Sequence, residues 1–131
     1  MLKNYLSKYS SLWRRIFTIA DNLVNADDIV IVYPKDYLKE DEKEKFLIYC
    51  FSKNFIYVLN SDTNSDESLI RILKSCDITE LLVKIGKRDE VELTIKFDKE
   101  EIKLSNVSDA DLSWKYDMSK VIVQIAQIYT R

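Results

Sequence analysis

The sequence predicts an α+β protein with an amphipathic N-terminal helix, about seven mostly antiparallel strands and a C-terminal helix. Three observations predict this class. Short apolar or alternating runs separated by polar turns fill residues 29–105, and helical periodicity marks residues 2–24 and 109–130. With 131 residues, the chain has the length of one domain, so we expect a single domain over 1–131.

Composition excludes several classes of function. The chain has 20 basic and 22 acidic residues and no histidine, which excludes His-based acid/base catalysis and His-containing metal sites. Its one glycine, Gly86, excludes Gly-rich phosphate loops and dinucleotide-binding turns. We therefore expect no catalytic residue, no cofactor, no metal and no nucleic-acid partner. Cys50 and Cys76 lie in or beside apolar runs and are predicted to be buried, reduced thiols of a cytoplasmic protein.

The first helix, over residues 2–24, carries its apolar side chains within an arc of roughly 160°. An arc of this width is typical of a helix that packs against the sheet of its own domain. The opposite face carries four basic residues and one acidic residue, so an alternative is a helix that lies on a membrane surface. Trp and Arg are common at interface hot spots, and we therefore name Trp13, Arg14 and Arg15 as candidate partner-binding residues.

Seven runs have the length and residue types of strands. The clearest is residues 91–97, where apolar and polar residues alternate strictly, and the first is expected to end before Pro34. The connection 52–54 ends in Asn54, a residue type that tolerates a positive φ, and predicts a hairpin. The predicted strands are 29–33, 46–51, 55–59, 69–73, 78–85, 91–97 and 102–104.

Two polar segments between the strands are predicted to be loops. Residues 35–45 carry four positive and five negative charges, which is typical of a solvated surface. In residues 60–68, Asp62, Asn64 and Asp66 match the first ligand positions of a calcium loop. Glu67 then stands where that loop requires glycine, so we do not expect calcium to bind.

The C-terminal helix is predicted over residues 109–130. Its apolar residues form one broad face, and residues 121–130 carry no charge. This composition predicts a helix that is buried along most of its surface and packs as a plug against the sheet.

Seven short strands followed by one apolar helix resemble the order of elements in the pleckstrin-homology-like fold. Residues 50–58 and 72–83 are similar to consecutive segments of bacterial members of this superfamily, and Trp114 is similar to a tryptophan in the last helix of eukaryotic members. The resemblance covers about residues 29–130. It implies two near-orthogonal sheets that form a partly open barrel, with the last helix capping one end.

Two features depart from that family. The helix over 2–24 is not part of the common fold. Phosphoinositide-binding members carry clustered basic residues in the first turn, whereas the lysines of residues 35–45 are interleaved with acids, so phosphoinositide binding is not implied.

These observations favour a non-catalytic protein-interaction or scaffold domain. Folds of this type often present a sheet edge or a helix-lined groove to a peptide. The expected partner is another protein or a second copy of the chain. The alternative is a peripheral membrane module anchored by residues 2–24. An enzyme would have to rely on carboxylates, Lys, Tyr or Cys, and no pair of them stands out in the sequence.

Overall fold

A computed structural model describes residues 22–23, 28–35, 45–62, 68–109 and 115–130. These residues form an α+β structure with seven antiparallel strands in two sheets and a C-terminal helix. Each predicted strand overlaps one observed strand, which confirms the seven strand predictions. The elements are β1 (Ile29–Lys35), β2 (Lys45–Ser52), β3 (Phe55–Asp62), β4 (Ser68–Lys74), a 3₁₀ helix (Ser75–Asp77), β5 (Glu80–Ile85), β6 (Val91–Lys96), β7 (Glu101–Ser105) and α1 (Lys115–Thr130).

The chain groups into two compact units. The first comprises Met1–Pro34 and Lys43–Leu73, and the second comprises Lys35–Glu42 and Lys74–Arg131. The first contains most of a four-stranded sheet with the order β1-β2-β3-β4, and the second contains a three-stranded sheet with the order β5-β6-β7.

The core of the first unit is built on the β2–β3 hairpin. The two strands pair antiparallel, from Lys45 opposite Asp62 to Phe51 opposite Ile56. Side chains on both faces of these strands are buried, which explains why their sequences read as continuous apolar runs. The buried residues of the hairpin are Ile48, Tyr49, Cys50, Phe51, Ser52, Ile56, Tyr57, Val58 and Leu59.

The turn between β2 and β3 is closed by Ser52. Its hydroxyl accepts a hydrogen bond from the main-chain N–H of Phe55 at 3.1 Å and donates to the Phe55 carbonyl at 2.9 Å. The predicted hairpin is confirmed, and Asn54 does not adopt the positive φ that asparagine tolerates. Among the described residues, the non-glycine residues with positive φ are Arg88 and Asp89.

The core of the second unit lies between one face of the β5-β6-β7 sheet and α1. Antiparallel pairing sets Leu93 opposite Leu104, and Ile95 opposite Ile102, so these four buried side chains share a face. Helix α1 contacts β6 and β7. Its buried residues recur at helical spacing and are Met118, Ser119, Ile122 and Ile125.

Several predictions about these elements need correction. Helix α1 is not buried along most of its surface, because Val123, Gln124 and Gln127 are exposed. Gln124 and Gln127 are polar but uncharged, so the lack of charge in residues 121–130 did not reveal this solvent-facing side. Asp109 lies in the turn after β7 and not in the helix. Strand β1 does not end before Pro34 but continues through it to Lys35. An edge strand tolerates proline because an N–H that points away from the sheet is dispensable there.

Other predictions are resolved in part or lie outside the described residues. Both thiols are free, and Cys50 is buried as predicted, but Cys76 is exposed and lies in a 3₁₀ helix that has no buried residue. The described strands do not close into a barrel. The predicted helix over 2–24, apart from the helical and exposed Asn22 and Leu23, lies outside the described residues, as do Trp114 and most of the 60–68 loop.

Candidate binding groove

Strand β5 is an edge strand that exposes apolar side chains. In the order β5-β6-β7 it pairs with one neighbour only. Val83 is 51% exposed and Ile85 is 77% exposed, although their side chains lie on the face that forms the core over β6 and β7. Helix α1 contacts β6 and β7, and the β5 margin of this face is left accessible to solvent.

The main chain of β5 also has one accessible side. The Gly86 N–H donates to the Glu90 carbonyl at 2.8 Å, and β5–β6 pairing continues from Ile85 opposite Val91. In an antiparallel ladder, alternate residues direct their N–H and C=O groups to the same neighbour. Because the Gly86 N–H bonds to β6, the main-chain groups of Lys84 and Leu82, two and four residues before it, also bond to β6. The residues whose main-chain groups point to the open edge are therefore Leu81, Val83 and Ile85.

A groove lies between this margin of the sheet and α1. It has a volume of about 490 Å³, which is within the range of about 300–1,000 Å³ that is typical of ligand pockets. Its apolar lining comes from Val83, Ile85 and Val91 on the sheet and Val123 on the helix. Its polar lining consists of Asp89, Ser119, Lys120, Gln124 and Gln127.

The end of the groove near Asp89 is held by the turn between β5 and β6. Arg88 and Asp89 have φ values of 54° and 64°, and the Glu90 N–H donates to the Lys87 carbonyl at 3.3 Å. Two successive residues with positive φ are the hallmark of a type I′ turn. Lys115, at the start of α1, forms an ion pair with Glu90 at 3.3 Å and joins this turn to the helix.

On the helical side, one cation faces the groove. The Lys120 ammonium lies 4.4 Å from the centre of the Tyr116 ring, so an aromatic face helps to position this charge. The groove therefore combines apolar side chains, amide side chains, the Ser119 hydroxyl, the charged Asp89 and Lys120 side chains and an open main-chain edge. An open strand edge beside a partly apolar groove is a geometry that can accommodate an extended peptide.

The groups with large pKa shifts do not line the groove. Burial raises the pKa of the Cys50 thiol to about 12 and also raises the pKa of Tyr129. The pKa of Tyr57 is raised by burial and by the negative charge of Asp28. Within the described residues, no group of three or more Cys, Asp or Glu side chains is placed to hold a metal ion.

The structure does not place the predicted partner-binding residues. Trp13, Arg14 and Arg15 lie outside the described residues, so their role stays a prediction. The residues of the groove were missed, although Val83 and Ile85 fell within the predicted strand 78–85. The alternation of Val83 and Ile85 predicts side chains that face a core. These side chains are exposed because of the position of α1, which contacts β6 and β7.

Comparisons with known proteins add no family to this description. The chain matches no protein-family model, no curated protein and no solved structure. Across the described part of the chain, no helix has both the length and the apolar character required to cross a bilayer.

Proposed function

We propose that this chain is a non-catalytic protein-interaction domain that binds an extended segment by strand addition to β5. The observation that carries the proposal is the exposure of Val83 and Ile85 on an edge strand beside a helix-lined groove. In strand addition, main-chain hydrogen bonds supply affinity, and the pockets for alternate side chains supply specificity.

The exposed side chains supply a physical reason for binding. Complete burial of a Val or Ile side chain contributes roughly 1.5–3 kcal/mol. A segment bonded to Leu81, Val83 and Ile85 would direct every second side chain over the same face as Val83. Those side chains would enter the groove next to Val123 and the amides of Gln124 and Gln127.

We also propose that the fold is pleckstrin-homology-like. Support comes from the order of elements, since a sheet of four strands and a sheet of three strands precede a single C-terminal helix. The membrane-surface alternative rests on residues 2–24, which lie outside the described residues, and it stays a prediction.

A peptide-display selection tests the binding proposal. The full chain is immobilised at low density and exposed to a library of random peptides of about 12 residues, which is twice the length of a common strand. We expect enrichment of peptides with alternating apolar residues. Val83→Pro removes an N–H that points away from β6, so it should leave the ladder intact and abolish enrichment.

Two further variants make this test decisive. Leu82→Pro tests which N–H groups face the open edge. It removes an N–H that bonds to β6 and should therefore unfold the sheet, whereas Val83→Pro should not. Val123→Lys places a charge in the groove from the helix side and should also abolish enrichment, without altering the β5 main chain. Enrichment that survives both Val83→Pro and Val123→Lys in folded protein would overturn the proposal.

A further inference from the structure

We infer that the segment added to β5 is β5 of a second copy, so that the chain forms a two-fold symmetric dimer with a continuous six-stranded sheet. This inference rests on the proposed function, because it names the partner of the same edge. The supporting observation is a charge pattern on β5 that complements itself. Antiparallel pairing of identical strands is the arrangement that a two-fold axis produces.

The pattern is centred on Leu82. Glu80 and Lys84 lie two residues before and two residues after it, on the same exposed face of β5. When a two-fold axis passes through Leu82, Glu80 of each copy lies directly opposite Lys84 of the other. Opposite charges in directly paired positions stabilise a sheet, and two such pairs form in one dimer.

The neighbouring strand extends this pattern. Within one chain, Glu80 pairs with Lys96 of β6, and Lys84 pairs with Glu92. Across the dimer, each row of charges would run over four strands as Lys96, Glu80, Lys84 of the second copy and Glu92 of the second copy. The sign alternates at every step, so the pairing adds attraction without placing like charges side by side.

Main-chain geometry is compatible with this register. Leu81 lies opposite Val83 of the second copy, and both residues direct their N–H and C=O groups to the open edge. The two Leu81–Val83 pairs related by the axis are therefore hydrogen-bonded pairs, with about four main-chain bonds in total. A register centred on Val83 satisfies the same bonding rule, but it sets Lys84 opposite Leu82 and loses both charge pairs.

Side-chain burial and space also favour this dimer. Leu82, which is 41% exposed, would contact Leu82 of the second copy at the axis. Val83 would be covered by Leu81 of the second copy. Helix α1 contacts β6 and β7, so strands spaced about 4.8 Å apart set the two helices roughly 15–20 Å apart. A helix is about 10 Å wide, and the helices therefore do not collide.

Charge reversal tests the inference on the full chain. Sedimentation equilibrium should give a mass of twice 15.5 kDa that falls toward 15.5 kDa on dilution. Glu80→Lys or Lys84→Glu alone sets like charges opposite each other twice and should weaken dimerisation at least about tenfold. An equimolar mixture of the two variants restores both opposite-charge pairs and should restore the dimer.

The controls separate this inference from the function on which it rests. Lys99→Glu makes the same charge change on an exposed turn and should leave the dimer intact. Circular dichroism of each variant verifies folding. The double variant Glu80→Lys with Lys84→Glu restores both opposite-charge pairs across the axis, although it sets like charges opposite Lys96 and Glu92 within the chain, so it should dimerise more tightly than either single variant. A chain that is monomeric at every concentration, or a dimer insensitive to both reversals, overturns the inference. Peptides enriched by such a monomer would still support strand addition.

Discussion

Asn106 and Val91 are joined by two hydrogen bonds that fasten the end of β7 to the start of β6. The Val91 N–H donates to Asn106 Oδ1 at 2.8 Å, and the Asn106 N–H donates to the Val91 carbonyl at 3.3 Å. The Asn106 amide nitrogen donates to the carbonyls of Asp89 at 2.7 Å and Lys115 at 2.9 Å. One buried side chain thereby connects β6, the β5–β6 turn and the first turn of α1, and Val91 and Asp89 in this network also line the groove.

Replacement of this side chain should destabilise the protein. Asn106→Ala leaves the Val91 N–H and two carbonyls without their Asn106 partner, and we expect a loss of about 2–4 kcal/mol in the free energy of unfolding. Asn106→Asp keeps the acceptor but sets a carboxylate beside two carbonyl oxygens, so it should not rescue stability. Urea unfolding measures both. Asn54→Ala, in the exposed β2–β3 turn, is the control, and an equal loss there would contradict this role.

The ion pair between Lys35 and Asp109 should contribute to stability within the second unit. The Lys35 ammonium lies 2.9 Å and 3.1 Å from the two carboxylate oxygens of Asp109, which is fully buried. Lys35 also donates to the Lys103 carbonyl, and the Ser105 N–H donates to Asp109 at 2.9 Å.

Lys35→Met removes the cation and leaves a buried carboxylate, so we expect a loss of about 3 kcal/mol. Adding Asp109→Asn to this variant removes the charge and should recover part of the loss, which a double-mutant cycle in urea measures. Lys103→Met is the control, because that side chain forms an exposed ion pair with Glu101. If Lys35→Met unfolds at the same urea concentration as the natural chain, the pair does not stabilise the fold.

The β5–β6 turn offers a route to a more stable protein. Asp89 has a φ of 64°, a conformation that costs a non-glycine residue roughly 1 kcal/mol. Asp89→Gly relieves this strain and keeps the main-chain carbonyl that accepts from Asn106. We expect a gain of about 0.5–1 kcal/mol, detectable as a higher melting temperature.

Asp98→Gly is the matched control for this change. Asp98 lies in the exposed β6–β7 turn and is not among the residues with positive φ. Glycine there only adds freedom to the unfolded chain, so stability should stay the same or fall. A gain at Asp98 equal to that at Asp89 would show that backbone strain is not the cause.

Buried Cys50 should make the protein sensitive to alkaline pH. Burial raises its thiol pKa from 9.0 to about 12. A raised pKa means that the folded state holds its proton more tightly than the unfolded state. The stabilisation that comes from this tightly held proton is therefore complete below pH 9.0 and is lost as the pH rises toward about 12. Over that range the free energy of unfolding falls by up to about 1.4 kcal/mol per pH unit.

Urea unfolding in buffers of increasing pH, from about 8 upward, measures this dependence of the free energy of unfolding on pH. Cys50→Ala should be less stable at neutral pH because of the cavity, yet lose less stability between pH 9 and about 10. Cys76→Ala removes the exposed thiol and should keep the natural slope. Tyr57 and Tyr129, whose pKa values are also raised, add to the loss at higher pH. Equal slopes for Cys50→Ala and the natural chain would refute this prediction.

Much of the fold was predictable because it depends on local patterns. The alternation in residues 91–97 places Leu93 and Ile95 on one face, and both side chains are buried there. The turn through Gly86 was also predictable, since polar residues separate two apolar runs. The candidate groove was not, because Val83 and Leu93 follow the same alternation and differ only in whether α1 lies above them.

The sequence by itself determined the strands, their turns and the approximate position of the last helix, since strand and helix periodicities act over a few neighbouring residues. Tertiary structure decided what those elements do. It buried Asn106 and Asp109, two polar residues that no sequence pattern marked as buried, and it left the apolar side of β5 exposed. These outcomes depend on contacts between residues far apart in the chain, such as Lys35 with Asp109 and Asn106 with Asp89, which no local pattern records.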